Sequence, residues 1–245
     1  ALRGIQLDVA ANDSLTQSYT YLHLNNALIQ AGFVKEALTY VNKSLDFNPE
    51  NYYSPILKIF IQYALNENLE QTKMQLIEEW KKDTTRLDLL QEVAKFYYFE
   101  EDYENAFIYY EKFVKAREQY GLDIYKHEDV KISWVYKKMG LDEQAARFFD
   151  TYVAYCEKDE SIYKSASMAV KYVVEEEYDK AIEQYKIFAT QNSYQYWIVL
   201  FNEKDPILQA LKGHPEYDGI LQKIKDGFWE NQTQLKKTLE DKGLI

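Results

Sequence analysis

The chain has 245 residues, 23 of them Tyr, with 8 Gly, 4 Pro and a single Cys, and it carries a net charge of −11. An acidic surface repels phosphate backbones, so direct contact with nucleic acid is not expected. One cysteine, Cys156, excludes an internal disulfide and suits a reducing, cytoplasmic setting, and no apolar run is long enough to span a membrane.

In chain order, Ala1–Asp13 reads as the tail of an earlier helix closed by a turn at Asn12-Asp13-Ser14. The chain begins at Ala1 rather than Met, and that pattern predicts an array that starts upstream. A recurring signal follows: an aromatic-rich helix, a turn, and an alanine early in a second helix. It stands at Gly32–Val41, Glu101–Tyr110, Gly140–Phe149 and Glu176–Tyr185, anchored by Ala37, Ala106, Ala145 and Ala181. The later gaps lie close to a period of about 34 residues, and the first holds two such periods. A unit this short cannot bury its own apolar face and must stack on neighbours. Asn48-Pro49 closes the first repeat. The stretch Tyr52–Arg86 keeps helical spacing through Ile56, Ile59, Phe60 and Tyr63, then Met74, Ile77 and Trp80, but lacks an evident small anchor residue. With each alanine at position twenty, position eleven is Tyr97, Tyr136 and Tyr172, and position twenty-four is Tyr110, Phe149 and Tyr185. Large residues of one helix are expected to meet the small residue of its partner.

The end of the chain differs. Tyr194–Phe201 is too apolar for a solvated helix. Asp205-Pro206 and His214-Pro215 each predict a helix start. Glu216–Lys242 is amphipathic through Tyr217, Ile220, Leu221, Ile224, Phe228, Leu235 and Leu239, as a cap on an open array would be. The expected fold is all-α: a right-handed solenoid of about five helix pairs over 1–195, closed by C-terminal capping helices over 196–245.

Chemistry-bearing constellations are scarce. His23, His127 and His214 fall in different repeats with no second ligand at i+3 or i+4, so no metal site is expected. Cys156 reads as a buried, inert thiol. The acidic runs Glu100-Glu101-Asp102 and Glu175-Glu176-Glu177 precede second helices and favour their N-termini. No Gly-rich phosphate loop or enclosed carboxylate pair is seen, so neither a catalytic set nor a cofactor is expected.

The small residue at position twenty, the aromatics at eleven and twenty-four, and Gly32 and Gly140 at the turns resemble the tetratricopeptide family over most of the chain. Position four departs from it, with Tyr21, Leu90, Asp129 and Ser165, and so does position eight, with Asn25 and Ser133. The resemblance implies a protein- or peptide-binding groove lined by first-helix residues. In the third repeat these are Asp88, Gln91, Lys95, Tyr98 and Phe99; in the fourth, His127, Val130, Trp134, Lys137 and Lys138; in the fifth, Tyr163, Ala166, Val170, Val173 and Val174. For the fifth set, packing against the C-terminal helices is an equal alternative. The carboxylate clamp of chaperone-binding relatives is not kept: Leu22 and Asn26 stand where Lys and Asn are usual. The partner site is expected at Lys95, Tyr98, Phe99, His127, Trp134, Lys137 and Lys138, where cations and aromatics sit together. The segment from Tyr194 to the end, with Tyr196-Trp197, Asp205-Pro206, His214-Pro215-Glu216-Tyr217 and Gly243-Leu244-Ile245, resembles the tail that follows tetratricopeptide arrays in large bacterial helix-turn-helix transcription regulators. It implies a sensory, regulatory or oligomerisation region. A free-standing adaptor without a DNA-binding domain is the alternative, and homo-oligomerisation stays open.

Overall fold

Helices α1 (Ser14–Gln30) and α2 (Val34–Phe47) open the structure, a computed structural model that describes residues 13–243. The expectations for the first twelve residues and for the last two lie outside the described residues. There follow α3 (Ser54–Asn66), α4 (Leu69–Lys82), α5 (Leu87–Phe99), α6 (Tyr103–Gln119), α7 (Asp129–Lys138), α8 (Asp142–Lys158), α9 (Lys164–Val174) and α10 (Tyr178–Phe188). Each helix packs on the next in sequence within α1–α4 and within α5–α10, as consecutive antiparallel hairpins do. The short α11 (Tyr196–Phe201), two single 3-10 turns (Asn202–Lys204 and Leu208–Leu211) and the long α12 (Tyr217–Asp241) complete the chain. The fold is all-helical and tetratricopeptide-like. Among the described residues no helix is long and apolar enough to cross a membrane.

The helices form two compact units. The first holds the described residues up to Lys82 with Gln195–Trp197 and the end of α12 from Gln232; the second holds Asp83–Tyr194 with Ile198–Asn231. This division falls between α4 and α5, inside the repeat array.

The hairpin turns repeat one backbone device. Gly32, Glu101, Gly140 and Glu176 occupy the same place, five residues before the anchoring alanine, and all have left-handed φ angles of 80°, 58°, 75° and 62°. In each turn the amide three residues past the helix end reaches back to the position-eleven carbonyl: Phe33 to Leu28, Asp102 to Tyr97, Leu141 to Tyr136 and Glu177 to Tyr172, at 2.9–3.0 Å. This is the Schellman closure, which satisfies the last carbonyls of a helix and turns the chain sharply. The second helix then starts at once and lays its alanine against the first. Ala37, Ala106 and Ala181 are fully buried, and Ala145 nearly so.

The second repeat keeps the left-handed turn residue. Glu67 is left-handed at φ 50°, and its amide bonds Tyr63 O at 2.7 Å. Five residues on, where alanine stands in the other repeats, is Thr72, buried, its hydroxyl donating to Asn68 O at 2.8 Å. The small anchor thought absent is therefore a threonine, which hides its polar atom on its own helix. Met74, expected on the apolar stripe, is exposed.

Position eight carries polar groups in two repeats. Ser133 donates to the carbonyl of Ala145 across the α7–α8 contact at 2.8 Å. In the first unit Ser18, Ser44, Asn51 and Ser54 form a buried hydrogen-bonded cluster that ties α1, α2 and the start of α3 together. Aromatics at position eleven meet position twenty-three instead of twenty-four: Tyr97 stacks on Tyr109 at 5.5 Å, and Tyr136 meets Phe148 edge-on at 5.2 Å. Tyr110 and Tyr185, at position twenty-four, point onward, to Glu128 and to Asn202.

The longer gap before Ala145 is an insertion between α6 and α7, held by Arg117. Its guanidinium lies over Phe113 at 5.4 Å and Phe148 at 5.9 Å, donates to Ile124 O at 3.3 Å, and pairs with the buried Asp129 at 2.7 Å. Cys156 is fully buried and its thiol is pushed up to about 11 by burial, which makes it unreactive.

Two outcomes test this packing. Ala106→Trp and Ala181→Trp overpack close helix contacts and should each cost roughly 1–3 kcal/mol or more, read as a large fall in the thermal midpoint. Glu101→Gly and Glu176→Gly relieve a left-handed backbone that a side chain disfavours. Each should raise stability by a few tenths to about 1 kcal/mol in urea unfolding.

Candidate functional site

The first helices of the second unit, α5, α7 and α9, present the face that the repeat pattern assigns to binding. Residues four and seven apart on a helix share a face, so Gln91, Lys95 and Tyr98 line up on α5. That face is not open. Phe201 at the end of α11 stacks on Phe99 with ring centroids 5.2 Å apart and meets Phe96 at 6.0 Å. Asp205 accepts a hydrogen bond from the Tyr98 hydroxyl, and its carboxylate also caps the following turn through the Ile207 amide at 3.0 Å. Asn202 accepts from the Tyr185 hydroxyl at 2.9 Å. The Leu208–Leu211 turn packs on α9, and Ile207, Leu208 and Leu211 are buried. Of the fifth-repeat set, Val173 is buried, and Tyr163, Ala166, Val170 and Val174 are half-buried.

The placement of Tyr98 and Phe99 on an open partner surface is therefore corrected. Tyr98 is fully buried and Phe99 nearly so. The physical reason is the apolar 194–201 stretch: too hydrophobic to remain in water, it turns back and delivers Phe201 and Asp205 onto them. Lys95 is not a free cation either; it pairs with Glu92 at 2.7 Å and is largely buried.

Beneath this segment lies a polar network. Glu128 accepts from the Tyr110 hydroxyl at 3.2 Å and from Lys131 at 3.3 Å, with His127 at 3.6 Å. Three carboxylates (Glu92, Glu128 and Asp205) face two ammonium groups (Lys95 and Lys131), and these charges interact with one another. Burial alone would raise the Glu128 carboxyl, but Lys131, Lys95 and His127 outweigh it and hold it at about 2. Burial dominates at Glu92 and Asp205 and raises both against the pull of their lysines. Lys131 is raised: burial opposes its charge, and Glu128 and Asp205 overcome that. Tyr98 and Tyr110 are pushed well up by burial and by the carboxylates beside them, so both hydroxyls stay protonated and donate.

The outer part of the same face remains accessible. Trp134 on α7 is half-buried, and its indole N–H reaches the Tyr103 hydroxyl at 3.4 Å. Lys138 Nζ lies 5.1 Å from the Trp134 ring and 5.6 Å from the Tyr103 ring. Lys137, Lys138 and His127 are exposed. Among the described residues no carboxylate lies within ion-pair distance of Lys137 or Lys138. Tyr103 was missed in the sequence because it opens a second helix, away from the first-helix positions. Its neighbour at the turn, Asp102, caps α6 through the Asn105 amide and so sets the direction in which Tyr103 points.

Elsewhere on the second unit a shallow depression of about 330 Å³ is lined by Tyr172, Asp179, Glu183, His214 and Glu216. His214 lies 3.4 Å from Asp179 there. Among the described residues no three His, Cys, Asp or Glu side chains gather as a metal site would need.

No protein-family model matches the chain, and comparison with curated proteins gives no match. Among solved structures, one described as "Functional Characterization of Pseudomonas Aeruginosa pilF" aligns over 89% of this chain and 98% of that one, with a TM-score of 0.49 and 17% identity. A likeness that distant bears on neither partner nor activity, and the repeat fold rests on the hairpins themselves.

The network gives a pH dependence. Glu128 is lowered in the folded state, so its contribution is present above its ordinary 4.5 and is lost as pH falls toward about 2. Glu92 and Asp205 are raised and work the other way, favouring the folded state as they take up protons. Glu128→Gln should cost on the order of 1–3 kcal/mol at pH 7 and flatten the acid limb of stability between pH 4.5 and 2, measured by urea unfolding across pH.

Proposed function

We propose that this chain is a non-enzymatic interaction module that binds a protein or peptide segment through the accessible rim made by Tyr103, Trp134, Lys137 and Lys138, with His127 beside it. The observation that carries the reading is the position of Lys138. In an acidic chain whose ammonium groups are often paired with carboxylates, this one sits over two aromatic rings without a carboxylate. A flat, half-buried indole beside an unbalanced cation suits a carboxylate-bearing, partly apolar peptide: the charge draws the ligand in and the ring gives it a surface. The buried Cys156 and the internally paired network offer no nucleophile or base to an incoming substrate, which favours binding over catalysis.

The regulatory region of a bacterial transcription regulator is the setting we propose. Its support is the resemblance of the segment from Tyr194 onward, and the free-standing adaptor is its alternative. A helix-turn-helix domain encoded in the same gene product would separate the two.

The binding reading is tested on an array of acidic peptides with free C-termini alongside neutral, amidated counterparts. The chain should prefer the acidic set. Lys137→Glu/Lys138→Glu should lose that preference by about tenfold or more while keeping its helical circular dichroism. Retention of acidic-peptide binding by the double variant would place the partner elsewhere.

A further inference from the structure

The residues that close the inner face of the second unit engage it as a bound peptide would. Phe201, Asn202 and Asp205 are anchored by side chains of α5 and α10: a stacked ring on Phe99, a hydroxyl from Tyr185 and a hydroxyl from Tyr98. Between the anchors, Glu203 is exposed, and its carbonyl is held by the Gln209 side chain at 2.7 Å. The stretch is a helix end and a single 3-10 turn, so few backbone bonds of its own hold it there. Side-chain contacts fix it, as they fix ligands in grooves, and Glu203 also pairs with Lys225 of α12 at 2.7 Å.

We infer that this face is a peptide-receiving groove held closed by the chain's own Phe201–Ile207 segment, an internal pseudo-ligand. A partner peptide with an aromatic residue four positions before an aspartate, followed by proline and an aliphatic residue, would displace it. The inference deepens the interaction-module reading and rests on it.

The groove supplies the chemistry for such a ligand. Phe96 and Phe99 form an edge-to-face aromatic platform at 5.9 Å, which receives a ring. The Tyr98 hydroxyl, kept protonated, donates to a carboxylate, and Lys131 adds positive charge behind it. A peptide that supplies the same ring and carboxylate loses nothing the internal segment gains. The internal segment holds its advantage through tethering, which raises its effective concentration.

The probe is a fluorescent peptide of residues 200–208, LFNEKDPIL, and a second in which its aspartate is replaced by asparagine. Against the full chain, anisotropy should show weak binding of the first. Binding should be at least tenfold tighter to Phe201→Ala and Asp205→Ala variants, whose internal segment is weakened, and the asparagine peptide should lose at least tenfold. Hydrogen exchange on the unmutated chain gives a readout that needs no variant. Amides of 201–208 should exchange faster than those of α5, and faster still with saturating peptide. If those amides exchange only in step with α5, or if folded variants take up neither peptide, the segment is a fixed cap and the inference fails. That failure leaves the rim reading standing, because the acidic-peptide array reads Lys137 and Lys138 and not this groove.

Discussion

The close approach of two helices at a small buried residue is the contact on which the rest of this protein depends. Ala37, Thr72, Ala106, Ala145 and Ala181 let the second helix of each hairpin lie against the first, and the left-handed residue five positions earlier sets the angle at which it does so. A larger side chain there would push the pair apart and misalign every hairpin stacked on it. Local turn chemistry is thereby turned into a repeat geometry. Two of those turns use Gly, while Glu67, Glu101 and Glu176 serve in the other three, at a steric cost the stacking overcomes.

Stacked hairpins leave a face of first-helix side chains without an intrinsic neighbour. In the second unit the chain resolves this with its own apolar segment. The consequence is a buried network in which hydroxyls of Tyr98 and Tyr110 donate to Asp205 and Glu128, and lysines offset part of the negative charge. A network of this kind specifies one seating of the segment, since a shift of a residue would strand a carboxylate without a donor. The same arrangement divides the binding face in two: an inner part already filled, and an outer rim where Trp134, Tyr103 and Lys138 meet water. The proposed partner site and the proposed internal ligand follow from that division.

Much of the hairpin architecture was legible locally. The alanine spacing, the turn glycines, the start of a helix after His214-Pro215 and the apolar stripe from Tyr217 to Phe228 all act within a few residues, and the observed helices follow them. Thr72 was overlooked because a threonine reads as polar; only the helix backbone beside it, which takes its hydroxyl, makes it serve as a small buried residue. Phe149 was chosen over Phe148 because adjacent aromatics on a helix differ by about 100° in facing, and the pattern alone does not say which of the two turns inward.

The candidate site was less legible. Trp134, Lys137 and Lys138 were placed on one helix face by spacing, and the structure leaves them accessible, but Tyr98 and Phe99, chosen by the same rule, are covered. Their covering partners, Asp205 and Phe201, lie more than a hundred residues away in sequence, and no local preference links them. What the sequence determined by itself were the helices, their turns and the small residues at their contacts, because those depend on backbone and side-chain preferences over one or two turns of helix. Only the tertiary structure decided which part of the binding face is filled and which is open, because that depends on where an apolar segment finds the ring, the hydroxyl and the charge that bury it at least cost.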